Sequence, residues 1–235
     1  METNLNEVKN VAKNFLHLPI YEDEKIPSQM FVYHPFLSSS IVILPGDESD
    51  LVDLLEQPER LEDYYRFMEE EIDKGDLHKI HFLIRAPYRL AFIKQCEQYL
   101  SEKDFAELLA DAWVSSENPN QDANCSISCL IKMFKRCNKK YLMQEKDYEV
   151  YKSLPDTFNI YRGVAVGRNP KGLSWTQNLE TAKWFANRFN RGTKKGYVQM
   201  GIAKKEHVLA YFNTRNEDEI VYNSKKLDIS ILREE

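Results

Sequence analysis

Three short segments in the last third of the chain hold residue types that do chemistry. In the first, Tyr161-Arg162-Gly163, Phe158, Ile160 and Arg162 alternate with Asn159, Tyr161 and Gly163, which puts an arginine on an otherwise apolar strand face. A guanidinium there calls for an anion, either a ligand or a neighbouring carboxylate. Gly163 beside it clears space for a planar ligand to approach the backbone. In the second, Gly172-Leu173-Ser174-Trp175-Thr176-Gln177, an extended chain turns the Ser174 and Thr176 hydroxyls to one side and Trp175 to the other. A polar strand end followed by a helix cap explains the same pattern. The third, Asn216-Glu217-Asp218-Glu219-Ile220-Val221, places Glu217 and Glu219 on one face of a strand, about 7 Å apart at their Cα atoms. Like charges held so close repel, so the segment is either a functional carboxylate pair or a turn with exposed acids.

The elements that must position these residues follow from periodicity. Helical stripes run through Leu5, Val8, Val11, Ala12 and Phe15, and through Leu61, Tyr64, Tyr65, Met68 and Ile72 after Pro58. Ser101 with Asp104 three residues on reads as a cap for the stripe Phe105, Leu108, Leu109, Ala112 and Trp113. The polar break 115–124 separates it from Ile127, Leu130, Ile131 and Phe134. Residues 31–33 and 41–44 read as short strands among these helices. From Thr157 the period changes from 3.6 to 2, with strands predicted around Ile160, Met200 and Ile220 and a last one through Leu227, Ile229 and Ile231. A helix behind Asn178 carries Leu179, Ala182, Phe185, Ala186 and Phe189. The expected fold is α+β: a helical N-terminal region over 1–100 with short extended segments, then a core over 101–235 with helices to about 155 and a mostly antiparallel sheet from 157.

Composition sets the outer limits. The 235 residues are 43% hydrophobic and 12% aromatic with eight glycines and nine prolines, which excludes a disordered, collagen-like or low-complexity chain. No apolar run approaches the roughly 20 residues of a membrane helix, and residues 1–10 are polar and acidic, so we expect a cytoplasmic protein without a membrane partner. Cys96, Cys125, Cys129 and Cys137 lack the spacing of a metal site, and reduced, packed thiols are expected. Residues 1–150 hold 17 basic and 28 acidic side chains, and residues 151–235 hold 15 and 9. The acidic part should repel polyanions. The basic part, with Arg188, Arg191, Lys194, Lys195, Lys204 and Lys205, suits a phosphate-bearing ligand or is simply a solvated surface.

Taken together and in this order, the three segments resemble the arginine, Ser-x-Ser/Thr and Glu-x-Glu motifs of the mono-ADP-ribosyltransferase superfamily, in its toxin-like, arginine-modifying branch. The resemblance covers residues from about Phe158 onward, and departs from the usual pattern in having Ser174-Trp175-Thr176 as its middle motif. It implies an ADP-ribosyltransferase core with a split NAD-binding cleft, NAD as co-substrate, and no metal, because the leaving group is already a cationic pyridinium. It also implies a role for each matching residue. Glu219 would face the ribose, Arg162 would anchor the pyrophosphate, and the backbone of Gly163 would bind the carboxamide. Ser174 would orient Glu219, Thr176 would support the strand, and Trp175 would lie at the cofactor. Phe185, Trp184 and Phe189 are candidates to stack on nicotinamide. Glu217 would contact an acceptor guanidinium. The acceptor is a macromolecule, protein arginine first and nucleic acid second; NAD hydrolysis and a silent binding module are the further readings. Family habit suggests a bacterial or phage toxin or effector. For the acidic helical part four roles stay open: completing the core, covering the cleft, recognising the target, or binding a neutralising partner protein.

Overall fold

The computed structural model describes residues 1–22, 31–46, 51–190 and 194–232, and within it the chain divides into two units, Met1–Asp104 and Phe105–Glu235. Arg191 lies outside the described residues.

In the first unit α1 (Leu5–Leu16) is followed by four two-residue strands, β1 (Tyr21–Glu22), β2 (Val32–Tyr33), β3 (Ile41–Val42) and β4 (Val52–Asp53), then by α2 (Leu61–Lys74), α3 (Leu77–Leu83) and α4 (Ala86–Gln95). Of the predicted stripe of α1, Val8 and Ala12 are completely buried and Leu5, Val11 and Phe15 half-buried; Leu16, outside that stripe, is completely buried too, and Asn4 caps the helix by accepting from the Glu7 N–H. β2 and β3 answer the strand expectation, pairing antiparallel with β1 and β4. So short a ladder needs tying down. His34, fully buried, donates from Nε2 to the Leu16 carbonyl at 3.1 Å and accepts the Phe36 N–H at Nδ1. Arg85 reaches the carbonyls of Val32, His34 and Leu37 at 3.3, 3.4 and 2.5 Å.

α5 (Glu102–Ser115) crosses the border between the units, capped by Ser101 as predicted, and buries Phe105, Leu108, Leu109, Ala112 and Trp113. α6 (Ile127–Arg136), α7 (Lys139–Leu142) and α8 (Glu145–Ser153) follow. The switch to period 2 falls where the sequence puts it, at β5 (Thr157–Val164). After it come β6 (Ser174–Thr176), α9 (Leu179–Asn187), β7 (Tyr197–Lys204), β8 (Val208–Phe212), β9 (Glu219–Tyr222) and β10 (Ser230–Leu232). The six strands form one antiparallel sheet in the order β10-β7-β5-β6-β9-β8. Their registers align Ser230, Met200, Tyr161, Thr176, Glu219 and Phe212 in one row across all six strands. α9 lies on this sheet with Ala182 and Ala186 packed against Val198, Tyr161 and Leu232.

One strand is unanticipated and two expectations are corrected. Residues 208–212 show no alternation, yet β8 is a strand; all five of its residues are buried, so the pattern is a continuous apolar run. Its pairing with β9 is interrupted by a bulge at Leu209. The Leu209 carbonyl is taken up by the Lys139 ammonium, which also donates to the Phe134 carbonyl, fastening the end of α6 to the sheet. Leu227 and Ile229 precede β10 and are not part of it. β9 starts at Glu219, and Glu217 sits in a turn in which Asn216 and Asp218 have φ of 55° and 47°, so the two glutamates do not share a strand face. Asn and Asp tolerate that left-handed backbone through local hydrogen bonding: Asp218 N–H donates to the Asn213 side chain, and Tyr211 O–H donates to Asp218 at 2.6 Å.

Among the described residues no helix is long and apolar enough to cross a membrane, and no group of three or more His, Cys, Asp or Glu side chains is placed to hold a metal. No disulfide joins the four cysteines, of which Cys96, Cys125 and Cys137 are buried.

Candidate functional site

A cleft in the second unit is lined by every residue that the three motifs singled out: Arg162, Gly163, Ser174, Trp175, Thr176, Glu217 and Glu219, together with Phe185 of α9. The cross-strand row explains how residues 40 or more positions apart meet. Thr176 of β6 is the direct partner of both Tyr161 and Glu219, and Ser174 lies two residues along the same face.

Glu219 is held by two donors. The Trp113 indole N–H donates to its Oε1 at 3.1 Å, and the Ser174 hydroxyl donates to it as well. Asn120, buried in the loop after α5, decides the direction of the second bond. Its Oδ1 accepts the Leu173 N–H at 2.6 Å, which turns its amide nitrogen toward Ser174 Oγ at 3.0 Å. With a lone pair occupied, the Ser174 hydroxyl keeps its proton for the carboxylate. Burial pushes the Glu219 carboxyl above its ordinary value and the charge of Glu217 adds to the rise, while Ser174, Trp113 and Arg215 pull it back. The result is a half-buried acid aimed by neutral donors.

Arg162 is 8% exposed on the apolar face of β5, as the alternation predicts, but its partners are not the anion expected there. Nη1 donates to the Ser174 carbonyl at 2.6 Å and Nη2 to the Asn169 carbonyl at 3.0 Å, so the guanidinium pins the chain that links β5 to β6. Gly172 makes room for it, since a Cβ there would meet Nη2 at 2.2 Å. Burial lowers the Arg162 pKa to about 10, against the pull of Glu219. The group stays charged at neutral pH, and its Nε has no hydrogen-bond partner among the described residues.

Gly163 is also corrected. The space its missing side chain leaves is filled by α9: a Cβ would lie 2.1 Å from the Ala182 carbonyl and 2.7 Å from Phe185 Cβ. The glycine lets the helix sit on the strand and so sets where Phe185 stands. Trp175 is 2% exposed, and its N–H has no partner among the described residues. Thr176 Oγ1 accepts the Asn178 N–H at 3.1 Å and leads into the cap of α9. Of the other aromatic candidates, Phe189 lines the cleft and Trp184 is 57% exposed beneath Arg188.

Two lining residues, Arg168 and Arg215, lie outside every segment that the sequence singles out; Arg188 belongs to the basic set expected to suit a phosphate, and Trp113 and Asn120 to the acidic helical part for which covering the cleft was one open role. Arg168 and Arg188 stand over the Phe189 ring at 5.0 and 5.1 Å and share the Glu117 carboxylate at 3.6 and 3.7 Å. Arg215 in the turn donates to the Val114 carbonyl. The one available signal was Trp113, since a buried indole N–H usually finds an acceptor; Asn120 read only as part of a polar break. Chemically, the cleft offers a shielded carboxylate, a second carboxylate on a turn, aromatic rings and several guanidinium groups. Compared with protein-family models, curated proteins and solved structures, the chain matches none of them.

Proposed function

We propose that the second unit is an ADP-ribosyltransferase core whose cleft binds NAD and passes its ADP-ribose group to a macromolecular acceptor, a protein arginine side chain first. The observation that carries this reading is the Glu219 carboxylate, half-buried and held by Ser174 and Trp113 in a cleft that also presents aromatic rings and guanidinium groups.

Cleavage breaks the bond between ribose C1′ and the nicotinamide nitrogen. Both bonding electrons leave with nicotinamide, which departs neutral, and positive charge develops on the ribose. Glu219 accepts a hydrogen bond from the ribose 2′-hydroxyl and sets its negative charge beside that cation. Arg168 and Arg188 meet the pyrophosphate in place of Glu117, while Arg162 keeps the strand bearing Ser174 in position. Phe185 or Phe189 supplies a face for the pyridinium ring. A guanidinium nitrogen of the acceptor then attacks C1′ and loses its proton to Glu217, whose place on a turn beside the cleft suits an incoming side chain.

The test is incubation of the protein, and of Glu219→Gln, with NAD labelled in the adenylate and a cell lysate, followed by protease or nuclease treatment. Label removed by protease, resistant to nuclease and absent with Glu219→Gln is the expected result. Label removed by nuclease instead moves the acceptor to nucleic acid. Free ADP-ribose and nicotinamide without label transfer makes water the acceptor. Neither label nor nicotinamide release from the folded protein overturns the reading.

A further inference from the structure

We propose that Trp113 is a positioning residue for Glu219, its indole N–H fixing one carboxyl oxygen so that the other side of the group is presented to the substrate. The proposal rests on the reading of Glu219 as the carboxylate that faces the ribose.

Trp113 is 2% exposed, and the edge of the Phe134 ring packs on it at 5.1 Å. Packing alone would account for its presence in the α5 stripe. Its polar atom is the part that packing does not explain. An indole has a single donor and no acceptor, and this one is spent on Glu219 Oε1 from 106 residues away in sequence. Trp175 offers the contrast: equally buried and also lining the cleft, its N–H has no partner among the described residues. The fold therefore tolerates an unpaired indole N–H, and the pairing at Trp113 is not simply what every buried tryptophan here must do.

A carboxylate in such a site needs neutral donors. Burial and the neighbouring Glu217 both favour its protonated form, and the cations that oppose them, Arg215 and Arg162, are themselves occupied with the carbonyls of Val114, Ser174 and Asn169. Ser174 alone would leave the group free to rotate about that one bond. A second donor from a rigid ring at the end of α5 fixes its plane. A hydrogen bond to the ionised form also stabilises that form over the protonated one.

The test is titration of the Glu219 side-chain carboxyl carbon by NMR in protein carrying 13C-labelled glutamate, with Glu219→Gln to assign the signal, alongside the pH profile of nicotinamide release. Trp113→Phe should raise the Glu219 pKa by about one unit, a tenfold change in its ionisation constant. The acid limb of kcat should move up with it, with KM for NAD within about twofold of wild type. Should Trp113→Phe fail to fold, site-specific replacement by benzothienylalanine keeps the ring shape and removes only the N–H, with the same shift expected. A folded variant in which Glu219 titrates as in wild type overturns the proposal, whatever its stability. The NMR reading needs no turnover, so a wild-type protein that releases no nicotinamide would sink the proposed reaction and leave the role of Trp113 separately decided.

Discussion

Two arginines, one in each unit, solve the same structural problem with different results. Arg85 gathers the carbonyls of Val32, His34 and Leu37 and so ties down the short strands of the first unit. Arg162 gathers those of Ser174 and Asn169 and so ties down the chain that leads into β6. Both spend their donors on backbone. The difference is what stands next to them. Arg85 pins a segment whose other buried polar group, His34, is kept neutral by burial and satisfied by backbone. Arg162 pins the strand that presents Ser174 to a carboxylate, in a cleft with further guanidinium groups. A buried arginine is thus weak evidence of a site. A shielded carboxylate aimed by neutral donors is stronger, because a fold gains nothing by keeping that charge out of water.

The sharpest way to separate the two regions is through the acids that only one of them has. Glu217→Gln should reduce transfer to arginine acceptors by about 100-fold or more while sparing NAD cleavage, since it removes the proton acceptor for the incoming nitrogen and leaves Glu219 in place. Equal loss of both activities, measured as label transfer and nicotinamide release, would deny it that role. Next in size is the pair Arg162→Met and Arg85→Met. Each strands backbone carbonyls and should cost about 1–3 kcal/mol in denaturant unfolding. Only Arg162→Met should also lower turnover, by about tenfold or more, because Ser174 moves with the segment. Equal effects on turnover would erase the distinction. Gly163→Ala should cost about 1–3 kcal/mol by forcing α9 off β5, read from the urea midpoint.

The smallest effect is one of pH. The Glu219 carboxyl has a folded pKa above its ordinary 4.5, so the folded state binds this proton more tightly than the unfolded chain does. Wild-type stability from this group therefore falls as pH rises from about 4.5 through the folded pKa, and stays reduced above it. Glu219→Gln lacks that penalty. It should melt above wild type at pH 7 and lose the advantage below pH 4.5. A constant difference across the range would contradict the shift.

Much of this arrangement could be read in the chain because it is local. The alternation through Arg162, the caps at Ser101 and Asn178 and the hydroxyl pair at Ser174 and Thr176 are set within a few residues, and the structure has them as read. β8 escaped because burial on both sides erases the period of two. The turn at 216–218 was readable from Asn216 and Asp218, residue types that accept a left-handed backbone, yet the spacing of its glutamates also fits a strand. Trp113 and Asn120 could not be placed at Glu219 and Ser174 by any local pattern, because their partners lie 106 and 54 residues away. What the loop between α5 and α6 contributes to the cleft is settled by tertiary packing.

The clamp on the Leu209 bulge has a consequence for reactivity. Burial lowers the Lys139 ammonium to about 8, so in mild base a far larger share of this amine is neutral than of an ordinary lysine. Acylating reagents in mild base would meet at this position an amine with an enlarged neutral fraction, already committed to two carbonyls. Acylation there would remove the charge and leave a single N–H for two carbonyls, which makes Lys139 a chemical handle on the seam between α6 and β8, outside the motif segments of the cleft.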